Sequence, residues 1–133
     1  MWRMDEAIER VIADVYHYTE AGERLIERLQ TQSRWNLEDI ERLRRGASLL
    51  SAIEATDSAD RSRGLTRIMA EFEESRRAIR SSVVAAALAE GATVTQISEI
   101  FGVSRQLANR FVKDCRSRQQ LQIEPPLPPL STI

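Results

Sequence analysis

Residues 93–113 run Thr-Val-Thr-Gln-Ile-Ser-Glu-Ile-Phe-Gly-Val-Ser-Arg-Gln-Leu-Ala-Asn-Arg-Phe-Val-Lys, and their spacing predicts two helices joined at a glycine. Thr93 is placed to cap the first helix, and Gln96 three residues on completes the pattern of a capping box. Ile97, Ile100 and Phe101 fall at helical spacing and are expected to form one apolar face. Gly102 can end that helix in the left-handed conformation, because it has no Cβ to clash. Val103 is expected to point inward from the turn. Ser104 can cap the second helix through its hydroxyl. Ala108 and Phe111 then form the buried stripe of that helix, which leaves Ser104, Arg105, Gln106, Asn109, Arg110 and Lys113 on the outer face.

The rest of the chain is consistent with helices throughout. All four prolines lie at 125–129, so the preceding 124 residues are free of the strongest helix breaker. Aromatic residues make up 5% and there are only five glycines, which does not suit a β-rich fold or a glycine-lined nucleotide loop. The expected fold class is all-α, with long N-terminal helices followed by a C-terminal trihelical unit. A chain of 133 residues allows one or two small domains. Three regions are expected: helical and self-associating over 1–75, the helix-turn-helix unit over 76–118, and a proline-rich tail over 119–133.

In the first region, Met4, Ile8, Val11, Val15, Tyr18, Gly22, Leu25 and Leu29 alternate four and three apart, the heptad seam of a coiled coil. Ile8, Val11, Val15, Tyr18, Leu25 and Leu29 are therefore the candidate dimerisation residues. Gly22 breaks the seam and marks a close helix approach or a bend. Thr31 to Trp35 reads as a loop, after which Asn36 would cap a second helix carrying Leu37, Ile40, Leu43, Ala47, Leu50 and Ile53. Residues 56–60, Thr-Asp-Ser-Ala-Asp, read as a second connection. A third helix carries Leu65, Ile68, Met69, Phe72, Ile79 and Val83 and is expected to run with little or no break into 84–90. Such narrow stripes cannot bury a sizeable core alone, so a homodimer is expected, parallel or antiparallel. An antiparallel bundle within one chain is the alternative.

The outer face of residues 104–113 has chemistry suited to DNA. Arginine can bond guanine with two hydrogen bonds, asparagine or glutamine can do the same for adenine, and lysine favours phosphate. The candidate base contacts are Ser104, Arg105, Gln106, Asn109 and Arg110. Charge is distributed to match. Residues 1–75 hold 11 basic and 16 acidic side chains, net −5, whereas residues 76–118 hold 8 basic and 3 acidic, net +5. Affinity for DNA comes largely from neutralising phosphates, so the positive region is where such a unit should keep its charge. Thr93, Thr95, Lys113, Arg76, Arg77, Arg80, Arg116 and Arg118 are the candidate phosphate contacts.

With Leu-Ala-Glu-Gly at 88–91 in front, the stretch LAEGATVTQISEIFGVSRQLANRF resembles the helix-turn-helix of resolvases, invertases and transposases, and of many small bacterial repressors. The likeness covers about a fifth of the chain. Ser98 departs from the usual small apolar residue at the helix crossing, although serine fits by size. No recombinase serine motif lies upstream and the chain is too short for a resolvase catalytic domain, so what the resemblance implies is binding of double-stranded DNA alone. The competing reading of the residues is a small trihelical core with a charged surface.

Signs of catalysis are absent or weak, and no enzyme is expected. His17 is the only histidine and Cys115 the only cysteine, which excludes a disulfide within one chain and a cysteine-based zinc site. Cys115 is expected to pack near the end of the second helix. Glu73 and Glu74 are adjacent in sequence and diverge around a helix, as do Asp5 and Glu6. No metal site and no cofactor is expected. No apolar run is long enough for a membrane span, and Asp5, Glu6 and Glu9 interrupt any signal peptide. The expectation is a cytoplasmic, nucleoid-associated protein without membrane contact. The tail Ile-Glu-Pro-Pro-Leu-Pro-Pro-Leu at 123–130 is expected to be extended, either a docking peptide for an aromatic groove or a plain disordered end.

Two function classes fit these residues. The first is a sequence-specific, dimeric bacterial or phage regulator that reads the major groove with helix 104–115. The second is a helical adaptor or assembly protein using the N-terminal helices to bind protein. An accessory factor for recombination, plasmid partition or chromosome architecture is a variant of the first.

Overall fold

The computed structural model describes residues 3–123, and within them every regular element is a helix. The order is α1 (Met4–Arg44), α2 (Leu49–Glu54), α3 (Ser58–Ala89), α4 (Val94–Phe101) and α5 (Arg105–Ile123). The fold is all-α, with a long helix at the N-terminal end. The start of the tail expected over 119–133 belongs to α5, which runs to Ile123; the prolines at 125–129 lie outside the described residues, and so does the reading of them as a docking peptide or a plain end.

The loop expected over Thr31 to Trp35 does not form, and Asn36 caps nothing, because α1 runs unbroken for 41 residues. The polar residues that suggested a break are served inside the helix. Thr31 Oγ1 donates to the Glu27 carbonyl at 3.1 Å, and Gln32 Nε2 donates to Asn36 Oδ1 at 3.0 Å, each one turn away. With neither glycine nor proline there, nothing compels the helix to stop. It stops at Gly46, whose φ of 99° is the left-handed conformation open to glycine. The Gly46 N–H bonds the Leu43 carbonyl and the Ala47 N–H bonds the Arg42 carbonyl, the Schellman pair that satisfies the last carbonyls. Ala47 is therefore outside any helix, and the second helix shrinks to α2, whose cap is Ser48 accepting from the Ser51 N–H. The connection expected at 56–60 is also shorter, since α3 already begins at Ser58 after Asp57 turns with a φ of 48°. The expected continuity of the third helix into 84–90 is present in α3.

The described residues separate into two compact units, one of Tyr16–Arg76 and one made of residues 3–15 with residues 77–123. In the unit of residues 16–76, Tyr18 and Phe72 lie with ring centroids 5.2 Å apart. Gly22 also faces Phe72. The guanidinium carbons of Arg28 and Arg61 lie 4.8 and 4.2 Å from the Trp35 ring centroid, and Arg28 Nη2 donates to the Arg61 carbonyl at 2.9 Å. Only Ala21, Ala52 and Thr56 are buried in this unit. No large apolar side chain is. The other unit has the true core: Val84 and Ala85 of α3, Ile97 of α4, and Ala108, Val112 and Cys115 of α5. Fully removing a valine or isoleucine from water contributes roughly 1.5–3 kcal/mol each, so Val84 and Ile97 anchor the three helices to one another.

Candidate nucleic-acid interface

The trihelical core fixes α4 and α5 by their ends as well as their faces. Both halves of the capping box are made: the Gln96 N–H donates to Thr93 Oγ1 at 3.2 Å, and the Thr93 N–H donates to Gln96 Oε1 at 2.8 Å. At the other end Gly102 takes φ 64°, ψ 37°, its N–H bonded to the Glu99 carbonyl and the Val103 N–H to that of Ser98. Ser104 then accepts from the Leu107 N–H through Oγ at 3.1 Å. Two helices are thus joined by three residues, each end capped by groups the sequence places there.

Inside the angle between the helices, Ser98 is buried and donates to the Thr95 carbonyl at 2.7 Å, so its hydroxyl is satisfied where a small apolar residue would otherwise fit. Phe101 and Phe111 meet edge to face, centroids 5.5 Å apart and planes at 78°. Val103 packs inward against the core, as expected. Ile100 does not join Ile97 and Phe101 on the apolar face. It is 58% exposed, because three residues along from Ile97 it has rotated out of the angle that α5 closes.

The buried side of α5 is Ala108, Val112, Cys115 and Gln119, with Phe111 half-buried beside them. The spacing of four, three and four leaves the opposite side to solvent. Ser104, Arg105, Gln106, Asn109, Arg110, Lys113 and Arg116 are all exposed. None of the four cations among them is in an ion pair with a described residue. Arg105, Gln106, Asn109, Arg110 and Lys113 therefore share one polar face of a helix whose other face is locked in the core. The structure brings the five candidate base contacts together with Lys113 and Arg116.

The remaining phosphate candidates fall into different settings. Thr93, Thr95 and Arg77 are exposed. Arg76 pairs with Glu73 at 3.3 Å. Arg80 is half-buried, its guanidinium 4.4 Å from the Phe111 ring centroid, and Arg118 pairs with Asp114 at 3.4 Å. Asp114 also accepts from Ser81 Oγ at 3.3 Å, which ties α3 to α5. Arg80 and Arg118 thus have packing roles that the charge count could not distinguish from free cations. Val112 and Gln119 escaped the sequence reading, although Val112 continues the stripe of Ala108 by four residues and was legible there.

Of the six candidate dimerisation residues, Ile8, Val15 and Leu29 are exposed, whereas Val11, Tyr18 and Leu25 are half-buried. The heptad reading straddled two neighbouring faces of α1. One is inward, with Ala7, Asp14 and Ala21 buried, and one is outward, with Ile12 and Ile26 exposed next to the residues already named.

Cys115 is buried, and its thiol is pushed up to about 11 by desolvation and by the Asp114 carboxylate, with Arg116 acting in the opposite sense. Among the described residues no cluster of His, Cys, Asp or Glu could hold a metal, and no helix is long and apolar enough to cross a membrane. Compared with known families, curated proteins and solved structures, the chain matches no family model, no curated protein and no solved structure.

Proposed function

We propose that this protein is a sequence-specific binder of double-stranded DNA, a regulator that enters the major groove with α5 and acts as a homodimer in the cytoplasm, at the nucleoid. The observation carrying the reading is the outer face of α5. Arg105, Gln106, Asn109 and Arg110 are exposed, the two arginines have no carboxylate partner among the described residues, and the helix that presents them is held by a capped turn and a packed core. A binding face of this kind needs side chains that are free to bond bases and a backbone that does not move while they do. Arginine and asparagine or glutamine are the residue types that recognise guanine and adenine through two bonds each. Lys113 and Arg116 on the same helix, and Arg77 on α3, add charge for phosphates. A dimer would offer two such helices to half-sites roughly 34 Å apart.

The test is retention of genomic DNA fragments by the purified protein at physiological salt, followed by sequencing. Enrichment of a motif with two-fold symmetry is the expected outcome. Retention with no motif would replace the regulator with an architectural or partition factor. No retention would favour the helical adaptor, a reading that the apolar side chains exposed on α1 and α2 also suit.

A further inference from the structure

The unit of residues 16–76 exposes Ile26, Leu29, Leu37, Ile40 and Leu43 on α1, each at 41–67% of full exposure, yet buries no large apolar side chain of its own. That imbalance is larger than scattered surface apolar residues explain. Along α1 the exposed line is Ile26, Leu29, Ser33, Asn36, Ile40 and Leu43, alternating three and four apart, the spacing at which one helix meets another along a seam. It is about 26 Å long.

We propose that this line is the surface on which a second copy of the chain docks, with the two α1 helices antiparallel and a two-fold axis between residues 34 and 35. The pattern of the line is its own complement in that arrangement. Ile26 meets Leu43 of the other copy, Leu29 meets Ile40, and Ser33 meets Asn36, so apolar layers face apolar layers and the two polar residues face each other at the centre. The flanks agree. Glu23 and Arg44 lie on the same edge of the seam, three heptads apart; both are exposed and neither is ion-paired with any described residue. Antiparallel docking brings each Glu23 to Arg44 of the other copy, twice per dimer, whereas parallel docking leaves Glu23 beside Tyr18 of the other copy, a side chain already set against Phe72. An isologous contact of this kind closes on itself as a dimer and does not propagate.

The inference rests on the dimeric half of the functional reading and not on DNA, and the experiment contains no DNA, so that either can fail alone. The full chain is followed by sedimentation equilibrium from about 0.1 to 100 μM, with helicity checked by circular dichroism. A dimer is expected. Ile40→Asp should raise its dissociation constant about 30-fold or more, as loss of a central anchor does. Because Ile40 is already exposed in the single chain, helicity should persist. Glu23→Arg and Arg44→Glu should each weaken the dimer about fivefold, the scale of exposed pairs broken twice, and the double variant should restore it. A monomer throughout the range, or a dimer indifferent to Ile40→Asp, overturns the surface. A dimer that the double variant fails to restore overturns the antiparallel arrangement.

Discussion

Arg105 lies in the first turn of α5, exposed and without a carboxylate partner among the described residues, so its removal should change recognition and little else. Arg105→Ala is expected to cost about 1–3 kcal/mol on the preferred duplex and much less on a scrambled one, read by fluorescence anisotropy on both. Equal losses on the two would make it a phosphate contact. Cys115 illustrates the opposite case, a residue whose chemistry is suppressed by its surroundings. Its thiol binds a proton more tightly in the folded chain than in the unfolded one, so its contribution to stability is whole below about pH 9 and fades as pH rises toward 11. The stability difference between the native chain and Cys115→Ala should therefore shrink from pH 8 to pH 10.5 in urea titrations. A constant difference would place the thiol in water. Both residues were legible in the sequence, since Cys115 was expected to pack near the end of the helix and is buried there, whereas other cations were not. Arg105 follows a cap and lies off the apolar stripe, which settles its exposure. Arg80 and Arg118 have the same charge, yet one rests on Phe111 and the other on Asp114, contacts that depend on three helices meeting.

At the scale of elements, the capped turn between α4 and α5 is where local sequence and tertiary structure agree most closely. Gly102→Ala should destabilise the chain by about 1–2 kcal/mol through backbone strain alone, since no atom lies within 4 Å of where the new Cβ would sit. A thermal melt showing no loss would mean the turn has another conformation. Ile97→Ala should cost more, about 2–5 kcal/mol, because it empties the centre of the core. The turn, both caps and half of the buried core, Ile97, Ala108 and Cys115, were readable because each signal is short-range: a hydroxyl before a helix, a glycine after it, apolar residues at a fixed spacing. The break expected at Thr31 failed for a related reason. Polar residues in a row suggest a loop, but in α1 they bond within the helix, and Trp35 is held between two arginines, one of which comes from α3. The heptad spacing in α1 fits two adjacent faces of the helix equally well, and only packing shows that Ala7, Asp14 and Ala21 are buried while Ile8, Val15 and Leu29 are exposed.

Across the whole molecule, charge and burial divide the chain in the same sense. Acidic excess lies in residues 1–75, where little is buried, and basic excess in 76–118, which hold the trihelical core and the polar face of α5. Electrostatic contacts should make DNA affinity fall steeply with salt. Lys113→Ala should reduce the slope of log affinity against log salt by about 1, with equal loss on all sequences. An unchanged slope would remove Lys113 from the phosphate contacts. The charge asymmetry and the all-helical fold could be read from composition and the position of the prolines. The division into units could not, because the residues up to Val15 belong with residues more than sixty positions away.

Reading of base edges by α5 can be probed by methylation interference on a retained duplex, since dimethyl sulfate marks guanine at N7, the atom a recognising arginine would bond. Methylation of a few guanines in two symmetric clusters should abolish binding, and Arg105→Ala or Arg110→Ala should erase the effect at matching positions. Binding indifferent to N7 methylation throughout the duplex would contradict that reading.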